Sequence, residues 1–339
     1  MGRCRTAFNA YSVKFSPFFE GRIAVATAQN FGIIGNGKQH VFEVTPQGGI
    51  VEVAQYDTMD GLYDCAWSEA NENILVASSG DGSVKVYDVA LPPAANPVRG
   101  FKEHSHECCS LAWNTSTPPF TPHTPLKCCS LAWNTSKREL FLSSSWDDTV
   151  KLWSLGAPGS LRTFPGHTYC VYHVAWNPQQ ADVFLSASGD TTVRVWDLRQ
   201  PGPTLILPAH GYEVLAADWC KYNDCLLATG SVDKSIKLWD VRVPGREMAV
   251  FPGHSYAVRR VLWSPHAANL LMSCSYDMTV KLWDTASPQA AQGLPLRSWD
   301  HHTEFAVGLD FSTLRDGLVA SAGWDESVWV WDQRGHPTP

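Results

Sequence analysis

The sequence predicts an all-β protein, a seven-bladed β-propeller whose ring is closed by a strand from near the N-terminus. Three observations predict it. A unit of short apolar strands recurs, and the closing aromatics Trp153, Trp196, Trp239 and Trp283 stand 43, 43 and 44 residues apart. Inside the unit the intervals are fixed: His254 to Trp263 is 9 residues, Trp263 to Asp277 is 14 and Asp277 to Trp283 is 6. The same 9, 14 and 6 join His167, Trp176, Asp190 and Trp196, then His210, Trp219, Asp233 and Trp239, and again His302, Phe311, Asp325 and Trp331. Finally, the closing positions Phe42, Tyr87, Trp153, Trp196, Trp239, Trp283 and Trp331 count seven units, each the size of one four-stranded blade.

The clearest unit is residues 253–284. It opens on Gly-His, runs through a strand to Trp263 and a second strand LLMSCS, turns at Tyr276-Asp277 and closes on Trp283-Asp284. The Trp-Asp ending identifies the repeat as the WD40 type, and residues 1–339 read as one WD-repeat propeller. Trp67, Asp81 and Tyr87 keep the last two intervals with no His upstream. In the first blade, residues 11–16 align with strand a, 22–28 with b, 40–44 with c and 50–56 with d. The last full strand, residues 327–332, is a strand c, so its blade lacks an outer strand. Residues 3–8 are the candidates to supply it, since an open ring would leave unpaired strand edges. Met1-Gly2-Arg3-Cys4-Arg5-Thr6 also fits the loose myristoylation pattern, but the strand reading takes precedence.

One blade breaks the period. CCSLAWNTS occurs at residues 108–116 and again at 128–136, separated by the Pro-rich TPPFTPHTPLK. Tyr87 to Trp153 is 66 residues, and removing the 20-residue copy leaves 46. A segment has been duplicated inside one blade, one copy must loop out, and residues 117–127 are expected to be poorly ordered on their Pro content.

A net charge of -7 gives no footing for nucleic-acid binding, which wants a basic footprint. The 10 Cys are scattered, with no CxxC and no zinc spacing. No signal peptide or spanning run is evident, so the chain reads as cytosolic with reduced thiols. No Gly-rich phosphate loop or metal cluster is present. His167, Ser188 and Asp190 are the residue types of a catalytic triad. Their recurrence at equivalent positions of most blades makes them scaffold, because an active site is built once. The chain reads as a non-enzyme with no cofactor and no metal.

Function is expected where the repeats differ. The WD resemblance implies that the His, a strand-b Ser or Thr, the turn Asp and the closing Trp form a hydrogen-bonded network: His167, Asp190 and Trp196; His210, Asp233 and Trp239; His254, Asp277 and Trp283; His302, Asp325 and Trp331. It also implies that partners touch the narrow face six and four residues before the strand-a aromatic and one before the turn Asp. Those offsets give Tyr63, Glu107, Trp146, Tyr172, Glu213, Leu215, Arg259, Tyr276, Phe305 and Trp324. Large aromatics beside carboxylates suit a peptide with apolar anchors and a basic residue.

The stretches GRIAVATAQNFGI, ADWCKYND, GHSYAVRRVLWSPH, SCSYDMTVKLW and HHTEFAVGLDFS resemble the peroxin-7 family, the WD-repeat receptors for the type-2 peroxisomal targeting signal. The resemblance implies a cytosolic cargo receptor that shuttles to the peroxisome, reaching its membrane surface and matrix. Its cargo signal has the form Arg-Leu, five residues, His or Gln, Leu, and is presented as an amphipathic helix. It further implies a co-receptor, which is the long isoform of the type-1 signal receptor or a fungal peroxin, and a peroxisomal docking complex. The alternative is a substrate receptor of a cullin-RING ubiquitin ligase. It rests on the Trp-Asp-X-Arg ends at Arg199, Arg242 and Arg334, which pair with nearby carboxylates in the simpler reading.

Overall fold

A computed structural model describes residues 2–33, 35–45, 47–104 and 128–335. Its strands form seven four-stranded antiparallel sheets, lettered here a to d from the centre outward and numbered as blades in chain order. The strands a touch one another in succession, and that of blade 7 (Ala306–Phe311) meets that of blade 1 (Asn9–Phe15), so the ring is closed. The core lies in layers between sheets. Between blades 4 and 5, for example, Leu185, Val193, Leu207, Val214, Trp219 and Trp239 pack together. Each large apolar side chain buried this way contributes about 2–3 kcal/mol before entropy is counted.

Blade 7 takes its outer strand from the far end of the chain. Gly2–Arg5 runs antiparallel to Ser327–Asp332, with Gly2 opposite Val330 and Arg5 opposite Ser327. Arg3 lies over the Trp329 ring at 5.0 Å, and Cys4 packs towards Val13, Leu318 and Val328. Gly2 is required by space: a Cβ there would meet the Gly48 carbonyl oxygen at 2.4 Å.

In blade 3 the second copy of the duplication supplies strand a, Cys128–Trp133. The ring histidine comes from before the insertion: His104 Nδ1 lies 2.7 Å from Asp147 and its Nε2 2.7 Å from Ser143. Glu107, the first copy and the Pro-rich residues 117–127 lie outside the described residues.

In blades 3 to 6 the recurring polar residues form one circuit each. In blade 4, Trp196 Nε1 donates to Ser186 Oγ at 2.9 Å, Ser186 meets His167 Nε2 at 2.6 Å, and His167 Nδ1 meets Asp190 Oδ2 at 2.8 Å. The serine of this circuit is Ser186, not Ser188, whose hydroxyl donates to the Tyr169 carbonyl. Blade 5 repeats the circuit through His210, Asp233, Thr229 and Trp239, and blade 6 through His254, Asp277, Ser273 and Trp283. Burial pushes the Asp233 carboxyl up, but hydrogen bonds from His210 and Ser235 prevail and bring it to about 2. The other oxygen of each aspartate holds the b–c turn; Asp190 Oδ1, for instance, accepts from the N–H and hydroxyl of Thr192. The turn then forces a left-handed residue, and Asp148, Thr191, Lys234, Met278 and Glu326 all have φ between 60° and 72°.

Blade 7 departs from this pattern. His302 still meets Asp325 and Ser321, but Trp331 Nε1 makes no hydrogen bond. His301, an extra histidine beside the first, takes part of that room: its Nε2 lies 3.1 Å from Ser321 Oγ and its ring 4.7 Å from that of Trp331. Burial, reinforced by His302, brings His301 down to about 3. A histidine whose folded value lies below its unfolded one is protonated first in the unfolded chain, so its stability contribution is lost as pH falls from about 6.5 towards 3. Replacing His301 with Phe should flatten the fall in unfolding free energy between about pH 7 and 5 by up to about 2 kcal/mol, read from urea titrations at each pH.

Candidate functional site

The b–c turns and the d–a connections emerge on one face of the ring, the narrow face, and the offsets read from sequence converge there for identifiable reasons. Every strand a carries a β-bulge. Its pairing with strand b skips Tyr11, Tyr63, Cys129, Tyr172, Leu215, Arg259 and Val307, each four residues before the strand-a aromatic. A bulge leaves its residue out of the ladder and re-aims the side chain, here at the mouth of the central channel. The other two positions are hydrogen-bonded neighbours. The N–H before the turn Asp donates to the carbonyl of the residue six before the aromatic: Val232 to Glu213, Tyr276 to Ala257 and Trp324 to Phe305.

The predicted residues fall into two groups. On blades 6 and 7, Tyr276 stacks on Phe305 at 4.7 Å, and Phe305 lies 5.1 Å from Trp324. Tyr63 reaches this group through Tyr11, whose ring is 5.1 Å from Tyr63 and 5.5 Å from Trp324. On blades 3 to 5, Tyr172 and Leu215 are buried with Cys170, against Trp146, Tyr169 and Ala257. Arg259 stands between the groups, its charge acting on Tyr276 and its Nη1 3.5 Å from the Leu215 carbonyl.

Two carboxylates give the second group its charge. Glu213 accepts from the Tyr172 hydroxyl at 3.2 Å, yet burial still raises its carboxyl above the usual range. Asp148 is also raised, by burial and then by Asp147 and Asp190, and its Oδ1 has no hydrogen-bond partner. Both would be relieved by a cation placed against this side of the face.

Sequence reasoning missed several face residues. Tyr11 and Asn9 stand four and six residues before Phe15, so the same offsets applied to blade 1 would have found them. Tyr169 covers Gly189, where a Cβ would meet its ring at 2.3 Å. Phe31 sits in the long b–c connection of blade 1 and carries no repeat signal.

Below the mouth lies a buried ionic centre. Asp64 Oδ2 is 3.1 Å from Arg260 Nη2 across the channel, Ser12 donates to Asp64 Oδ1 at 2.6 Å, and the Leu131 N–H donates to Oδ2 at 3.1 Å. Burial opposes ionisation of Asp64, but Arg260 and Lys14 hold its carboxyl well below the usual range. His173 is pushed down by burial and by Arg260. Asp64 thus joins blades 1, 2, 3 and 6. Towards the wide face the channel opens into a cavity of about 450 Å³ lined by Lys14, Trp67, Trp176, Asp218 and Asp310, among others. No group of three or more metal-ligating side chains occurs among the described residues, and no helix there is long and apolar enough to cross a membrane.

The chain is similar to known proteins along most of its length. The family model "WD domain, G-beta repeat" matches residues 53–88, 95–154, 159–197, 202–240, 245–284 and 293–332. The chain is 54% identical over 334 residues to Peroxisome biogenesis protein 7 of Arabidopsis thaliana, covering 98% of each chain. It is 44% identical over 154 residues to the Peroxisomal targeting signal 2 receptor of Dictyostelium discoideum, 45% of this chain and 42% of that one. The human protein of the same name is 41% identical over 164 residues, 48% and 44% of the two chains. The ubiquitin-ligase reading gains no support from these relatives. Arg199 and Arg242 each fold back on the aspartate of their own motif at 2.6 Å, and Arg334 lies 3.3 Å from Asp332.

Removing the Asp64 carboxylate should cost about 3–5 kcal/mol, because Arg260 is left buried and uncompensated. In a double-mutant cycle, Asp64→Ala with Arg260→Ala should cost clearly less than the sum of the single changes, as measured by chemical denaturation.

Proposed function

This chain belongs to the WD-repeat family and, within it, to the peroxisomal targeting signal 2 receptors, and on that premise we propose that it binds the targeting signal of peroxisomal matrix proteins on its narrow face and delivers them for import. The observation that carries the receptor reading is near full-length identity of 54% to Peroxisome biogenesis protein 7. The chemistry of the face supports the placement. An amphipathic helix offers apolar side chains on one stripe and basic ones beside it. The aromatic group of blades 6 and 7 suits the first, and Glu213 with Asp148 suits the second. Tyr276, Phe305, Trp324, Trp146 and Leu215 then act as apolar contacts, Tyr172 orients Glu213, and Glu213 receives a guanidinium.

We read the whole chain as one propeller unit and as a binding protein, not an enzyme. The best triad candidate, His167 with Ser186 and Asp190, recurs with the same geometry in blades 5 and 6 and is tied into the scaffold by Trp196. A shallow face cannot bury a helix from all sides, which favours a co-receptor closing over the bound signal: the long isoform of the type-1 signal receptor, or a dedicated fungal peroxin. Delivery from the cytosol to a docking complex at the peroxisomal membrane completes the proposal.

The test is fluorescence anisotropy of a labelled type-2 signal peptide, with and without co-receptor. Binding should depend on the peptide arginine and tighten with co-receptor. Glu213→Lys should weaken it by about 100-fold and Glu213→Gln by about tenfold, the loss from reversing or removing one partner of a desolvated charge pair. Absence of binding by the folded wild-type chain under both conditions would overturn the reading. Unchanged affinity in both Glu213 variants would remove the charge from the blade 3 to 5 side.

A further inference from the structure

We infer that Phe31 is a contact residue of the cargo site, and that Asn9, Tyr11 and Tyr63 are positioning residues that hold it there; the inference rests on the narrow face being that site. The connection between strands b and c of blade 1, residues 29–36, is longer than its counterparts in the other six blades. It folds back over the face. Three consecutive links fix it: the Phe31 N–H donates to Asn9 Oδ1 at 2.9 Å, the Tyr11 hydroxyl to the Phe31 carbonyl at 2.5 Å, and the Tyr63 hydroxyl to the Gly32 carbonyl at 2.5 Å.

The three side chains that make these links, Asn9, Tyr11 and Tyr63, occupy the offsets that elsewhere in the ring serve the open face. In blades 1 and 2 their polar ends are engaged by the connection, so Tyr63 acts through Phe31 instead of meeting cargo with its hydroxyl. The fit is close. Gly32 has φ of +68°, and a Cβ there would lie 2.8 Å from the Tyr63 ring and 2.9 Å from the Tyr11 hydroxyl. Phe31 itself has φ of +55°. That conformation is an outlier for a bulky residue and persists only when the surroundings over-determine it.

The result of this constraint is an aromatic ring presented to solvent. Phe31 is 48% exposed, although its ring lies 5.4 Å from that of Trp324. It extends the row of Tyr276, Phe305 and Trp324 from blades 6 and 7 onto blade 1. Trp324 lies 5.4 Å from the Phe31 ring and 5.1 Å from the Phe305 ring. The occupant that suits the exposed Phe31 ring and the aromatics beside it is an aliphatic side chain of the cargo segment, Leu, Ile or Met in size, packed against their faces. Strain held at a binding surface by dedicated side chains is pre-organisation, which lowers the ordering cost of association.

The experiment uses the full chain and a fluorescein-labelled type-2 signal peptide, with hydrogen exchange of the amides in residues 29–36 as the second readout. Phe31→Ala should weaken binding by about tenfold or more, as for an aromatic anchor, while Phe31→Leu stays within about threefold and both keep the wild-type thermal midpoint. Tyr11→Phe with Tyr63→Phe should speed exchange across residues 29–36 and weaken binding by about tenfold, again with little change in midpoint. Wild-type binding with Phe31→Ala within about twofold of it overturns the contact role. Faster exchange in the tyrosine pair with unchanged affinity overturns the positioning role. No binding by the wild-type chain defeats the reading of the face itself, and the inference with it.

Discussion

Everything in this molecule depends on closing a ring. Each sheet is apolar on both faces and is stable only with a neighbour on either side. Seven sheets satisfy that condition solely if the last packs against the first. The packing of Ala306–Phe311 against Asn9–Phe15, and the pairing of Gly2–Arg5 with Ser327–Asp332, provide it. The interblade layers, the buried tryptophans and the polar circuits follow from a geometry that this seam makes possible. The circuits rigidify the b–c turns without adding surface chemistry: each donor finds an acceptor in Trp, Ser, His and Asp order, and the final carboxylate pins the turn. Arginines add a further brace on the rim, as Arg162 reaches the Leu198 and Gln200 carbonyls and Arg297 those of Gln333 and Gly335, each in the following blade.

Against this fixed frame, the residue at the strand-a bulge differs from blade to blade and is set apart from the ladder. The bulge in strand a lifts that residue out of the ladder, while the next residue turns inward to the channel. Arg259 and Arg260 show the two fates side by side. The first stands on the face beside Tyr276, and the second is buried against Asp64. A repeat protein thereby separates its scaffold from its specificity with a displacement of one residue.

Much of this was legible in the sequence. Intervals of 9, 14 and 6 residues locate the strands because each blade has the same strand lengths and the same Asp-held turn. The missing outer strand of blade 7 is visible because a WD blade without one leaves an edge. The departures have local physical causes. His301 displaces the Trp331 hydrogen bond, and no interval reports on an extra side chain competing for the same serine. Ser186 and Ser188 share a strand face, so alternation does not choose between them; Ser186 lies level with His167 Nε2 and Trp196 Nε1, whereas Ser188, at the end of the strand, donates to the Tyr169 carbonyl. The Asp64 and Arg260 pair was hidden for another reason: it joins blades 2 and 6 across the channel, and repeats encode what is the same in each blade, not what is unique to two. Phe31 was invisible because its connection belongs to no repeat, although the offsets that place Tyr11 and Asn9 beside it are those used for every other blade.

The seam also sets a timetable. A ribosome adds about 5–20 residues per second, so Gly2–Arg5 leaves the exit tunnel roughly 15–65 s before Ser327–Asp332 can be reached. For that interval blade 1 has one apolar face uncovered and the first strand has no partner. Any blades that form before synthesis ends belong to an open ring, whose two uncovered ends are complementary to those of a neighbouring nascent chain. Polysome spacing and chaperone shielding, more than the final stability of the ring, would then govern how much of the protein is recovered as closed monomer.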